Sequence, residues 1–415
     1  MAIKRIKVSN FRSFKELDLE LRRFNVLIGA NASGKSNFTQ IFKFIRDIIK
    51  EGIDNAISMQ GTEYLTYIGV PFPKTLSVTF TSEFKSSFGF RVSESIAVEI
   101  IQATYDFALD FIKPGGDFEI KKDELNFKVN YVDFETRRKN SGSKNKALGS
   151  GNIILFNDKG QIKTKIKKPR PIKISSKAIF PPFFAGTKLP SKTILLQIQP
   201  LFFVPAEWAV GEIGLYDFDP KLSKKAVPIA GKFELEEDGG NLSLVLKSIV
   251  ENSEKKRKLS NLMKDLLPFV EDLSTDKFAD KSLLFKLKEK FFPDIYFPAS
   301  FISDGTVNIS ALLSALYFEK KGVTIIEEPE RNIHPHLVSR VMGMMKDASS
   351  NKQIIVTTHN PEVVKHTDLE NILLVSRDKE GFSTISRPSE KKEVKIFLQN
   401  ELGLDDLFVQ NLLGT

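Results

Sequence analysis

Residues 29–36 read Gly29-Ala-Asn31-Ala-Ser-Gly34-Lys35-Ser36. This is the G-x-x-x-x-G-K-[ST] spacing whose turn aims backbone N–H groups at phosphate oxygens. In such a loop Lys35 neutralises the β- and γ-phosphates and the Ser36 hydroxyl ligates Mg²⁺. Two adjacent acids, Glu327 and Glu328, end the apolar run Val323-Thr-Ile-Ile. One carboxylate is needed to hold Mg²⁺, usually through water, and a second can polarise the attacking water. The first role is assigned to Glu327 and the second to Glu328. Further on, Gln353-Ile-Ile-Val-Thr-Thr-His359 is another apolar run, ending in a histidine. Alone it reads as a strand-capping residue; the order loop, acids, histidine points to one that touches the γ-phosphate.

Three strand–turn units must carry these groups. Phe24-Asn-Val-Leu-Ile delivers the chain to the loop, and a helix over 37–52 leaves it with its positive end facing the anion. Strands at 322–327 and 353–357 deliver the acids and the histidine, because strand C-termini line the crevice of a doubly wound sheet. Helices at 304–320 and 335–348 alternate with them, and strands at 372–375 and 383–386 precede a helical tail. Before the first of those helices, Ser303-Asp-Gly305-Thr is an anion site at a helix N-terminus or, equally well, an ordinary N-cap. Near the N-terminus, Ile3-Lys-Arg-Ile-Lys-Val and Phe14-Lys-Glu-Leu-Asp-Leu-Glu-Leu read as two further strands.

The chain between these halves differs in character. Residues 75–110 hold β-like segments. Residues 111–200 are rich in Lys, Gly and Ser, and the tracts at 137–146 and 163–171 read as loops or an irregular β insertion. Residues 240–293 read as helical from their i, i+3, i+4 apolar spacing. The expected division is therefore 1–110 and 296–415 for the phosphate-binding fold, with insertions at 111–200 and 201–295.

The chain has 415 residues, 41% hydrophobic and 27% charged, which suits a large folded core. No apolar stretch reaches the length of a membrane helix, and the N-terminus lacks a signal-peptide pattern, so the expected compartment is the cytoplasm. The absence of cysteine excludes disulfides, thiolate metal sites and cysteine nucleophiles. The net charge is +9, yet residues 111–190 alone hold 18 Lys/Arg against 7 Asp/Glu. That segment could attract DNA or an acidic protein trigger, or be a solvated lysine surface.

The ordered set of motifs resembles the ATP-binding-cassette ATPases of the RecF, SMC and OLD branch, especially stand-alone AAA-type members. The matching residues are Asn10-Phe-Arg12-Ser-Phe, residues 29–37 with Asn37 after the serine, and Ser303-Asp-Gly305-Thr as signature. Ile326-Glu-Glu-Pro-Glu resembles Walker B, followed by Asn332-Ile-His334-Pro335, and Thr357-Thr-His359-Asn resembles the switch. Asp238-Gly-Gly-Asn and the closing residues from Leu407 also match. The resemblance implies an α/β head, a mixed sheet with helices plus an antiparallel β subdomain, carrying a β-rich basic insertion and a short helical one. It implies ATP and Mg²⁺ sandwiched between two copies, with Ser303 and Gly305 meeting the γ-phosphate held by the other copy. Arg12 approaches the phosphates in cis, Asn31, Gly34 and Asn37 line the nucleotide, and Gln60 is the nearest candidate for the metal-contacting glutamine. Glu327 stands where many relatives have Asp; the longer acid still suits Mg²⁺ and is expected to slow turnover. The insertion is too short for an SMC coiled coil and lacks sustained heptads.

Two functions follow from the resemblance. One is a homo-oligomeric regulatory ATPase controlling a separately encoded nuclease or toxin, as in PARIS- and Septu-type antiviral systems. The other is a RecF-like repair ATPase that binds DNA. Asn37 and the Ser-Asp-Gly-Thr signature disfavour a transporter ATPase, and the short tail after His359 lacks the Asp-x-Asp of an OLD nuclease domain, so the chain is not expected to cut DNA itself.

Overall fold

The computed structural model describes residues 2–61, 63–67, 69, 71–113, 117–133, 147–170, 172, 174, 187–198, 212–278, 281–399 and 403–414. The basic tract 137–146 lies outside them. The chain forms two compact units: Met1–Arg22, Gln40–Glu212 and Arg377–Thr384 make one, and Arg23–Thr39, Ile213–Ser376 and Ile385–Thr415 the other.

The first unit is built on a seven-stranded antiparallel sheet, in the order β2-β1-β4-β5-β6-β7-β8. Its strands are β1 (Ala2–Phe11), β2 (Phe14–Glu20), β4 (Lys74–Arg91), β5 (Ile96–Phe111), β6 (Phe118–Asp133), β7 (Ala147–Asp158) and β8 (Gln161–Lys167). Strict alternation writes this sheet: in β5, Ala103, Tyr105, Phe107, Leu109 and Phe111 are all buried at every second position. Phe44 of the helix Lys35–Glu51 packs its ring 5.8 Å from Phe11 and 6.4 Å from Phe107. Aromatic pairs at such spacing add to the area they bury.

The sheet corrects two expectations. Strands on both sides of residue 110 pair in one sheet, so the segment expected as a β-rich or irregular insertion continues that sheet through β6, β7 and β8. The lysines at 163, 165 and 167 lie in β8, all exposed, while Ile162 between sheet partners is buried. β8 is an edge strand, and lysines there keep other chains from adding to it. Period-2 alternation was hidden in this tract because lysines fill the outward positions and Thr164 stands on the inward face between Ile162 and Ile166.

The second unit holds a six-stranded sheet ordered β17-β16-β3-β15-β14-β9. Its strands are β3 (Phe24–Ile28), β9 (Ile213–Tyr216), β14 (Val323–Glu327), β15 (Gln353–Thr358), β16 (Ile372–Arg377) and β17 (Ser383–Ser386). β3 and β15 are buried at every position, as in a parallel sheet covered on both faces. Helices Leu242–Val250, Ser253–Leu266, Asp304–Tyr317 and Pro335–Ala348 share one apolar core with it. A smaller sheet comprises β10 (Val227–Pro228), β11 (Val270–Phe278), β12 (Ser282–Glu289) and β13 (Tyr296–Pro298).

Residues 270–289 are therefore a β-hairpin, not the helix expected. Pro268 follows the last helical turn, and Leu283, Phe285 and Leu287 are buried at period two. β9, expected within a helical insertion, is the outer parallel strand beside β14.

Candidate functional site

The carboxyl ends of four parallel strands are brought level by register. Ile28 of β3 pairs with Thr358, Thr357 with Glu327, and Ile326 with Tyr216. The residues that follow each strand therefore share one edge: Gly29, Glu328, His359 and Asp217. This is the crevice at the carboxyl ends of strands where doubly wound sheets bind ligands.

The phosphate loop turns tightly out of β3. A Cβ on Gly29 would stand 2.4 Å from the Val375 carbonyl oxygen, so only glycine fits against β16. Ala32 (φ 61°) and Gly34 (φ 118°) reverse the chain, and the Phe38 N–H already bonds the Gly34 carbonyl, starting the helix. The Lys35 ammonium donates to the carbonyls of Gly29 (2.7 Å) and Ala30 (3.0 Å), so the amine lies over the loop mouth. Burial lowers its pKa, while the Glu328 and Glu327 carboxylates act to raise it. Asn31 is exposed at the loop crest and Asn37 half-buried in the first helical turn.

Glu327 reaches that turn. Its carboxylate accepts from Thr39 Oγ1 at 2.8 Å and lies 3.5 Å from Ser36 Oγ. Burial raises its pKa, against the Thr39 hydrogen bond and with the help of Asp217. A hydroxyl and a carboxylate converging in this way are hard oxygen donors of the kind Mg²⁺ takes. The residues present fit that ion, with Ser36 and Glu327 to hold it and Thr39 behind Glu327.

Glu328 stands in a strained turn (φ 45°), its N–H bonded to the Thr357 carbonyl at 2.8 Å. Its Oε1 meets His359 Nδ1 at 2.7 Å, and its Oε2 meets an Arg331 terminal nitrogen at 3.0 Å. Burial pushes this carboxyl up, but Arg331 and His359 outweigh it and hold it below the usual range. Arg331 also contacts Asp217 at 2.8 Å. The buried Glu330 accepts from Thr358 Oγ1, which in turn accepts the Asn360 N–H at 2.9 Å, fixing the turn that carries His359. Burial raises the Glu330 carboxyl pKa.

Ser303 caps the helix Asp304–Tyr317, its Oγ accepting from the Thr306 N–H at 3.2 Å. A Cβ on Gly305 would lie 2.5 Å from the Asn332 carbonyl oxygen, so the helix start packs directly on the turn after Glu328. Asn308 tightens that contact by donating to the Arg331 carbonyl at 2.7 Å. The sequence thus named the groups Glu327, Glu328, His359, Lys35 and Ser36 that meet here. It missed Thr39, Arg331, Asp217 and Asn308, which carry no motif of their own.

Arg12 and Gln60 belong to the first unit, the phosphate loop to the second. Arg12 occupies the tip of the β1–β2 hairpin at φ 48°, and its guanidinium donates to Gln60 Oε1 at 2.6 Å. The Gln60 carboxamide oxygen thus already accepts one hydrogen bond. Burial lowers the Arg12 pKa.

Two family models match the chain. "AAA ATPase domain" covers residues 1–198, and "AAA domain, putative AbiEii toxin, Type IV TA system" covers residues 228–365. An uncharacterized protein of Methanocaldococcus jannaschii is 30% identical over 93 residues, 22% of this chain and 24% of that protein. Septu protein PtuA of Bacillus mycoides is 29% identical over 111 residues, 24% of this chain and 16% of that protein. The matched stretches thus span a quarter or less of these curated relatives.

Among solved structures, the SMC head bound to the C-terminal winged-helix domain of ScpA superposes with a TM-score of 0.51 at 14% identity. That match covers 93% of this chain and 98% of the other. The SMC head with an extended coiled coil, bound to a ScpA domain derived from Pyrococcus furiosus, gives 0.50 at 13% identity over 96% and 99%. These likenesses show the fold. With the family models and the strand-edge motifs, the chain is similar to ABC-class, AAA-type ATPases of the SMC, RecF and OLD type.

Proposed function

We propose that the chain binds and slowly hydrolyses ATP with Mg²⁺, that two copies close on the nucleotide, and that this assembly regulates a separately encoded effector in antiviral defence. The observation that carries the reading is the meeting of Lys35, Glu327, Glu328 and His359 at one strand edge. Lys35 draws the phosphate charge, and Glu328, oriented by His359, takes the proton of the attacking water. Mg²⁺ held by Ser36 and Glu327 would neutralise charge building on the phosphates. Ser303, at a helix N-terminus, is suited to the γ-phosphate held by another copy. Partial likeness to the Septu protein supports the defence role, in which a nuclease or toxin is the partner and DNA or a foreign protein the trigger.

Light scattering of the Glu328→Gln variant tests the reading. With ATP and Mg²⁺ it should accumulate as a dimer or larger assembly and release no phosphate, whereas wild type should cycle. A variant that stays monomeric and hydrolyses ATP at the wild-type rate would remove both Glu328 and the sandwich from the proposal. Co-purification with the protein encoded by the neighbouring gene, with and without ATP, tests the effector.

A further inference from the structure

Each oxygen of Glu328 has a partner: His359 on Oε1 and Arg331 on Oε2. A base oriented by a histidine turns its other oxygen to the water, and here a guanidinium takes one of that oxygen's two lone pairs. Arg331 has a second seat, for its other terminal nitrogen contacts Asp217 Oδ1 at 2.8 Å. It can release Glu328 without becoming an unpaired cation. Its backbone is gripped by the helix that Ser303 opens, through Asn308 Nδ2 at 2.7 Å from the Arg331 carbonyl oxygen. Asn308 is buried, and its own Oδ1 has no hydrogen-bond partner among the described residues. Its amide is committed to this link.

We infer that Arg331 is a positioning residue that restrains the base: it holds Glu328 Oε2 in the unengaged chain, and a shift of the Ser303 helix, passed on through Asn308, draws it off Glu328 and leaves it on Asp217 alone. This rests on the ATPase reading above and adds to it a route by which capture of nucleotide at Ser303 is reported to Glu328 of the same chain.

The test compares wild type, Arg331→Gln, Arg331→Lys, Lys35→Ala and the double variant Arg331→Gln/Glu328→Gln, all as full chains at low protein concentration. Arg331→Gln should raise kcat at least threefold with KM for ATP unchanged within twofold. Arg331→Lys, which keeps a cation beside Oε2, should stay near the wild-type rate. The double variant should be as inactive as Glu328→Gln alone, which places the gain on Glu328. A fall in kcat for Arg331→Gln that Arg331→Lys restores would make Arg331 an aid to turnover and overturn the inference. An unchanged kcat overturns it too. Equal phosphate release by wild type and Lys35→Ala would instead sink the ATPase reading itself.

Discussion

Thr39 Oγ1 donates to Glu327 Oε1 across 2.8 Å, one turn along the helix from Ser36. The bond ties the acidic strand end to the helix that leaves the phosphate loop, and it aims one oxygen of a carboxylate whose pKa burial raises. Groups that orient a metal's carboxylate typically change its affinity by about 10–100-fold when removed. Thr39→Val keeps the shape and deletes the donor. Its Mg²⁺ requirement, read from phosphate release against metal concentration, should rise about tenfold while ATP affinity without metal stays put. An unmoved Mg²⁺ curve would show that Glu327 needs no such support.

Lys35 is the residue proposed to draw the phosphate charge, and its ammonium rests on the Gly29 and Ala30 carbonyls. Lys35→Ala should weaken binding of a fluorescent ATP analogue by about two orders of magnitude, on the scale of a lost charge-assisted contact of ~3 kcal/mol. The fold should persist, since the side chain caps nothing beyond the loop. Tight binding by this variant would contradict the loop's role.

The shape of that loop depends on Gly29 as much as on Lys35. With the Val375 carbonyl 2.4 Å from any Cβ, Gly29→Ala must push the loop off β16. Overpacking of this kind costs about 1–3 kcal/mol. Thermal melting should record the loss and nucleotide titration a parallel fall in affinity. A variant that melts and binds like wild type would mean that the loop tolerates the shift.

Ser303 has a structural task, capping its helix on Thr306, besides the nucleotide task proposed for it. The two separate by substitution. Ser303→Ala should lose only the cap, about 1 kcal/mol of stability. Ser303→Arg adds a bulky cation at the helix start and should abolish the ATP-dependent assembly in light scattering. If Ser303→Arg assembles with ATP as wild type does, the composite site is wrong.

The parts of the molecule legible in sequence are those where one residue type admits one geometry. Gly29, Gly34 and Lys35 at fixed spacing specify a turn, and the apolar runs before Glu327 and His359 specify buried parallel strands, whose register brings the acids and the histidine level. Arg331 and Asp217 were not legible, because what matters about them is pairing across 114 positions of chain. The hairpin at 270–289 was misread as helix since Leu283, Phe285 and Leu287 alternate through lysines and follow two true helices. Strands β6, β7 and β8 were read as a β-rich insertion, because local alternation does not say that β6 pairs with β5.

Lys352 offers a measure of how tightly the second unit is packed. It is 8% exposed, and its ammonium donates to the carbonyls of Ala315 (3.0 Å) and Glu319 (2.8 Å), at the end of the Ser303 helix. Burial nevertheless lowers its pKa to about 8, with Glu319 opposing. Unfolded, the lysine titrates near the ordinary lysine value of 10.5. Between those two values the unfolded chain binds the extra proton, so raising the pH favours the folded state through this group. The gain is absent below about pH 8 and complete above about pH 10.5, with an upper bound of about 3 kcal/mol. Denaturant unfolding of wild type and Lys352→Met across that range isolates it. The wild-type curve should carry a positive slope with pH that Lys352→Met lacks, whatever the variant's absolute stability. Identical slopes would show that the amine stays hydrated in the folded protein and that the helix end above it is open to water.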